Sequence, residues 1–319
     1  MPLVVAHGDL LDRILDLTYP VWNEGLSRAA YGQWNAAQSR TAWGRNHLQR
    51  VALVDDAGDL LATAKRYRFD ARIDGRAVVM TGIGAVFTPS DRRGRGYATM
   101  LVRQLLEREH ADGALVASLF SEVGAGFYER LGFRAVPFDE VTVRVQVKGG
   151  APAMLVRAGD ERDLPAIAAM HEARTAASRF VLRRDTPLIQ HAMAKKRLLA
   201  GLGPPGLRQV EFFVAEEGAS AVAYVLLSVN ANGWTLEEAG DRDPAGARLG
   251  AMLQVLVARE PSHRHPLIRA WWPAGFPVPP QVELADRSEP RDLFMVRPLA
   301  DVAVPPVHDG IFYWRSDSF

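Results

Sequence analysis

The order of regular elements along the chain runs through once and then begins again, which restricts the fold to two copies of one α/β unit. In the first half, apolar residues at helical spacing (Leu10, Ile14, Leu17, Val21) predict a helix over 10–26, broken near Pro20. A strand over 50–54, a turn at 55–59 and a returning strand over 60–69 read as a hairpin. After Asp74-Gly75 the apolar stretch 77–87 is a strand, stopped by Thr88-Pro89-Ser90-Asp91. Residues 97–109 read as a helix, 114–120 as a strand, 124–131 as a short helix capped by Gly132, and 141–147 as a last strand. Lys148-Gly149-Gly150-Ala151-Pro152 reads as a linker. Beyond it come a strand (154–157), a helix (163–174), a hairpin (209–215 and 220–229), a strand (233–238), a helix (245–258) and a strand (267–272). The expected domains are 1–150, 151–300 and a tail over 301–319, with a mixed central sheet flanked by helices in each of the first two.

Composition narrows the function. Hydrophobic residues are 48% of the 319 and charged residues 24%, enough apolar material for two packed cores. The formal net charge of +1 gives no reason to expect nucleic acid or a membrane surface as partner. With no cysteine, thiolate nucleophiles, disulfides and cysteine-ligated metals are excluded. The eight histidines show no ligand spacing, so no metal is expected. The first residues lack a basic signal-peptide region and no apolar run approaches the ~18 residues of a membrane span, so a cytoplasmic enzyme is the expectation. The oligomeric state is left open.

The chemistry sits in Val86-Phe87-Thr88-Pro89-Ser90-Asp91-Arg92-Arg93-Gly94-Arg95-Gly96-Tyr97-Ala98-Thr99. A strand ends, a basic glycine loop follows and a helix starts. The first turn of a helix has unpaired N–H groups and the positive end of its dipole. Gly94 and Gly96 let an anion approach the backbone, and Arg92, Arg93 and Arg95 supply charge and donors. The site suits a pyrophosphate. No Gly-Lys-Ser/Thr follows, so it is not a Walker loop, and Thr99 stands where a dinucleotide fingerprint needs its third glycine. The alternative is a glycine turn with solvated arginines.

Arg93-x-x-Gly96-x-Ala98, followed by Phe127-Tyr128-Glu129-Arg130-Leu131-Gly132-Phe133, resembles the paired signatures of the GNAT acetyltransferases. The resemblance implies tandem GNAT-like domains and acetyl-CoA as co-substrate, with an acetyl group passed to a small or lysine-like amine. It also implies that the strand end Val86-Phe87-Thr88 pairs with the pantetheine arm and that amides from Arg93 to Thr99 hold the pyrophosphate. Ser121 stands where relatives often carry Asn, and Tyr128 is implied as the acid that protonates the leaving thiolate.

Two GNAT-like units with the active one first and an aromatic C-terminus resemble the Eis-type acetyltransferases, although this chain looks too short for their additional C-terminal domain. That resemblance implies that the α-carboxylate of Phe319 acts as base. The alternative for the tail is structural packing. Glu122, Glu129 and Asp139 are other candidate bases, each more readily a solvated carboxylate. Trp22, Trp34 and Trp43 are candidates to line a pocket for a cationic amine, against simple core packing. In the second unit, Glu237, Glu238, Asp241 and Asp243 read as four carboxylates at a helix entrance that repel a pyrophosphate, with Pro244 removing a donor. Two rival functions are an acyl-CoA-binding pseudo-enzyme and a tandem synthase of the mycothiol type, whose C-terminal unit carries the transfer.

Overall fold

A computed structural model of the chain describes residues 1–146, 154–261, 265–301 and 310–319. The expected linker at 148–152, most of the proline-rich tail segment, and His263, Arg264 and His308 fall outside them. The chain divides into two compact units, one of residues 1–137, 291–307 and 319, the other of residues 138–290 and 308–318.

The first unit begins with β1 (Leu3–Val5), α1 (Gly8–Trp22), α2 (Arg28–Arg40) and α3 (Gly44–His47). It continues with β2 (Leu48–Val54), β3 (Leu60–Ile73), β4 (Arg76–Phe87), α4 (Tyr97–Ala111), β5 (Ala114–Ser121), α5 (Gly126–Glu129) and β6 (Arg134–Ala135). In the second unit lie β7 (Glu140–Val145), β8 (Leu155–Ala158), α6 (Leu164–Thr175), β9 (Phe180–Leu182), α7 (Thr186–Leu202), β10 (Arg208–Glu217), β11 (Ser220–Asn230) and β12 (Gly233–Asp241). They are followed by α8 (Ala247–Ala258), β13 (Ile268–Trp271) and β14 (Val282–Ser288). Then β15 (Leu293–Pro298) joins the first sheet, and β16 (Ile311–Phe312) pairs with β9 in the second unit.

The first sheet runs β1-β2-β3-β4-β5-β15-β6, and the second β14-β7-β13-β12-β11-β10-β8. Each is mixed and flanked by helices: the pairs β4–β5 and β12–β13 are parallel, among antiparallel neighbours. The domain limits differ from those read in the sequence. The strand expected to close the first unit lies between β13 and β14 of the second sheet, and β15 takes the place beside β5. An alternating apolar strand fits either half-covered sheet, so its residues do not choose the partner.

The helix α4 follows the apolar stripe: Leu101, Val102, Leu105 and Leu106 are buried and pack with Ile83, Leu119 and Met295. Pro20 falls near the end of α1 without ending it. Because both α4 and β5 are anchored in this core, the loop before α4 is held at the carboxyl end of β4, where open α/β sheets bind ligands.

Candidate active site

The strand β4 carries a kink at its carboxyl end. Register against β3 passes from Lys65↔Gly84 to Thr63↔Phe87, so Ala85 and Val86 form a bulge, with Ala85 at φ 48. Parallel pairing of β4 with β5 ends at Ile83↔Leu119, although β4 continues to Phe87 and β5 to Ser121. The two strands splay from there. The segment 84–87 has no ladder partner on that side, which leaves its polar backbone groups to other partners.

The loop beyond β4 runs through a 3-10 turn (Ser90–Arg92) into α4. Gly94 and Gly96 have φ of +76 and +80, and a Cβ on either would meet no atom within 4 Å. Their backbone conformation, rather than crowding, requires glycine, and they face open space. Gly96 is the N-cap of α4 and offers no side-chain cap, and the first turn holds no acidic residue. The amides of Tyr97, Ala98 and Thr99 are thus left to an external acceptor. Thr88, Arg92, Arg93, Gly94 and Gly96, the first-turn residues Tyr97, Ala98 and Thr99, and Phe127 of α5 line a cleft of about 400 Å³.

The three arginines differ in what they have left to give. Arg92 is 3.7 Å from Asp59 and 3.4 Å from Asp91, which offset its charge. Arg93 is exposed and its Nε donates to the Thr88 carbonyl at 3.2 Å. That bond ties the loop to the strand end and occupies a carbonyl expected to face the pantetheine arm. Arg95 is exposed. The Ser121 hydroxyl donates to Gly124 O at 2.6 Å, so its proton is used inside the following turn. Val86 is half-buried and Phe87 is buried, its ring meeting the half-buried Trp22 edge-on at 6.1 Å. Tyr128 is buried against Phe127 and Phe133, and burial pushes its hydroxyl up to about 12.

Phe319 sits on the opposite end of the splayed segment. A Cβ on Gly82 would come within 2.7 Å of its ring, and one on Gly84 within 3.4 Å of its carbonyl oxygen. The ring lies 4.9 Å from Tyr67, 5.2 Å from Phe69 and 5.4 Å from Phe120. This seat was not read in the sequence, although alternate glycines in an apolar strand signal a close approach. The two candidate tryptophans of this region are covered by the protein itself. Lys65 lies over Trp34 at 5.4 Å, and Trp43 stacks on His47 and Phe69. Their faces are therefore not open to a cationic amine, and of the two readings core packing is the one that Trp34 and Trp43 fit. Of the candidate bases, Glu122 is 3.9 Å from Arg291 and Asp139 is 3.1 Å from Arg287, while Glu129 is exposed.

The corresponding place in the second unit is closed from within. Asp241 accepts the Leu249 amide of α8 at 2.8 Å and the Asp243 amide at 2.8 Å. A Cβ on Gly246, the N-cap of α8, would meet Pro279 at 3.3 Å and Pro277 at 3.5 Å. The four carboxylates are not a common repelling surface. Glu237 and Glu238 lie buried in β12, where a bulge turns two successive residues inward. Glu237 binds Lys196 at 2.8 Å and Ser228 at 2.6 Å. Glu238 binds Arg184 at 2.5 Å, Tyr224 at 2.7 Å and the Ser316 hydroxyl. No group of three or more metal-ligating side chains forms among the described residues, and no described helix is long and apolar enough to cross a membrane.

Residues 13–136, which lie in the first unit, match the family model described as the acetyltransferase (GNAT) domain. Among solved structures, the chain is similar to a conserved protein of unknown function from Enterococcus faecalis V583, described as a probable N-acyltransferase. The TM-score is 0.69 at 13% identity, over 93% of this chain and 72% of that one. It is also similar to a GCN5-related N-acetyltransferase from Kribbella flavida (TM-score 0.67, 19% identity, 93% and 70%). A GCN5-related N-acetyltransferase from Anabaena variabilis ATCC 29413 gives a TM-score of 0.66 at 11% identity, over 94% and 73%. At these identities the likeness bears on the fold alone. No curated protein matches the chain.

Proposed function

We propose that the first unit is an N-acetyltransferase that takes its acetyl group from acetyl-CoA and passes it to an amine. The observation that carries the reading is the uncapped first turn of α4, opening beside a strand end freed from its neighbour. A diphosphate suits the amides of Tyr97, Ala98 and Thr99, with Arg93 and Arg95 at its edge. The backbone of the strand end Val86-Phe87-Thr88 would pair with the pantetheine arm, which brings the thioester to the splay. There a neutral amine attacks the carbonyl carbon. The tetrahedral intermediate collapses with cleavage of the carbon–sulfur bond, and the thiolate needs a proton. Tyr128, protonated throughout the neutral range, is the proposed donor. The carboxylate that Phe319 presents at the end of this sequence is the proposed acceptor of the amine proton. The second unit does not bind the carrier on this reading, because Asp241 already fills the corresponding helix terminus. That also disfavours a synthase working from the C-terminal unit.

The reading requires release of free coenzyme A from acetyl-CoA that depends on an added amine, and a panel of amines assayed for free thiol tests it. A protein that binds acetyl-CoA and releases no thiol with any of them would be a sensor instead. The role of Phe319 has its own test. Gly82→Leu fills the seat of the Phe319 ring and is expected to lower turnover about 100-fold by displacing the carboxylate. Coenzyme A affinity should stay within twofold. Unchanged turnover would remove Phe319 from the mechanism.

A further inference from the structure

Arg50 stands on β2, almost wholly buried, and among the described residues no carboxylate pairs with it. The groups that act on its charge are the phenols of Tyr31 and Tyr67, and burial pushes the guanidinium below the ordinary arginine value. Nη2 is buried without a hydrogen-bond partner. A cation taken out of water with no counter-charge destabilises a fold relative to an apolar side chain of similar size. The described hydrogen bond of Arg50 runs from Nη1, which donates to the Ala85 carbonyl at 3.4 Å.

That carbonyl belongs to the bulge of β4. Arg50 pairs with Lys65 and Lys65 with Gly84, so the three stand in one row across β2, β3 and β4. Beyond this row Ala64 pairs with Val51 on one side, while on the other it is opposed by both Ala85 and Val86. Pairing resumes at Thr63 and Phe87. Lys65, between Arg50 and Gly84, is turned toward Gln38 and Trp34 of α2, and Gly84 has no side chain to stand in the way. Ala85 holds the bulge at φ 48, a left-handed conformation that glycine adopts freely and alanine at a cost. With alanine at that position, the bulge depends on a contact that favours it. A bulge takes its extra residue out of the ladder, and Arg50 meets the carbonyl of that residue.

We infer that Arg50 is a positioning residue for the carrier: by holding the Ala85 carbonyl it fixes the bulge that presents the strand end Val86-Phe87-Thr88 to the pantetheine arm. The inference rests on the reading of the first unit as an acetyl-CoA-dependent transferase. Parallel pairing of β4 with β5 stops at Ile83, two residues before Ala85, so the bulge and the loss of pairing fall together. A charged donor in a dry site makes a stronger hydrogen bond to a carbonyl than a neutral one. Without the guanidinium, ordinary extended backbone is open to Ala85, and the strand end would turn back toward its neighbours. It would then have to rearrange before the arm could pair, which weakens binding. The first turn of α4 is anchored by its own core contacts, so the diphosphate seat does not depend on Arg50.

Calorimetry with two probes separates the arm from the diphosphate. Coenzyme A carries both, and 3′-phospho-ADP carries the diphosphate without the arm. Arg50→Met should weaken coenzyme A about tenfold and leave 3′-phospho-ADP within about twofold, with a thermal midpoint no lower than that of the unmodified protein. Arg50→Gln takes its place, with the same two binding expectations, if the methionine variant does not fold. Adding Ala85→Gly to either should bring coenzyme A back to within about threefold, because glycine holds φ 48 without help. Equal weakening of the two probes, or none, overturns the inference. So does a selective weakening that Ala85→Gly does not restore, since Arg50 would then act on the arm itself. Amide hydrogen exchange at residues 85–87 of the unliganded protein separates this from failure of the parent reading. Exchange about tenfold faster in the Arg50 variant, in a protein that takes up no coenzyme A, would retain the hold on the bulge and remove the carrier. Unchanged exchange in such a protein would overturn both.

Discussion

Replacing Arg184 by methionine should cost the second unit about 3–5 kcal/mol, because two buried carboxylates would lose one shared cation. Arg184 Nη2 lies 2.5 Å from Glu238, and Nε lies 3.3 Å from Asp317 of the tail. All three are almost wholly buried. Burial alone would push Glu238 up, but the Arg184 charge and hydrogen bonds from Arg184, Ser316 and Tyr224 hold it below the usual carboxylate range. Burial and the charge of Glu238 raise Asp317 despite the arginine. The pH dependence has a definite sign. A depressed carboxyl contributes stability above its unfolded value, lost as pH falls through the folded one. Without Arg184 the same carboxyl is raised, and its effect on stability reverses. The deficit of the variant should therefore be largest at neutral pH and narrow below about pH 4. Urea unfolding at both pH values measures it. A deficit that is small, or equal at the two, would mean that the cluster does not hold the tail segment Ile311–Ser318 in the second unit.

Tyr128→Phe should lower turnover by about 10²–10⁴-fold, the range expected for a positioned acid, while leaving coenzyme A affinity and folding stability nearly unchanged. The split follows from the position of the ring. Its body packs with Phe127 and Phe133, which phenylalanine can reproduce. The lost hydroxyl is the group held at about 12, protonated wherever the enzyme would work. For the same reason the alkaline limb of the unmodified protein should not come from Tyr128 below about pH 10. Pre-steady-state thiol release and calorimetry separate the two effects. A parallel fall in affinity would assign Tyr128 to binding, and full turnover would leave the thiolate to a solvent proton.

The parts of this architecture that could be read in the sequence are those fixed locally. The strand end, the glycine loop and the start of α4 lie within fourteen consecutive residues, and each follows from proline, glycine or apolar spacing. What could not be read depends on distant partners. The exchange of β7 and β15 between sheets involves strands that would suit either one. The helix α2 is not legible in the sequence because Gln, Asn, Ser and Gly dilute its apolar stripe, leaving Tyr31 and Trp34 as isolated signals. Glu237 and Glu238 read as a surface pair because strand alternation allows only one of two successive residues to point inward, and a bulge overrides that rule. Arg50 is the clearest loss. Arg50 is almost wholly buried, yet nothing in Gln49-Arg50-Val51 tells a solvated arginine from a buried one.

Titration calorimetry of coenzyme A against the unmodified protein and Gly96→Ala tests the account most directly. One equivalent should bind per chain, with affinity falling as salt rises. Gly96→Ala should weaken it by tenfold or more, because alanine at φ +80 costs about 1–2 kcal/mol and its Cβ enters the open space in front of the first-turn amides. Absence of binding, or equal affinity in the two proteins, would contradict the assignment of that helix terminus to the diphosphate.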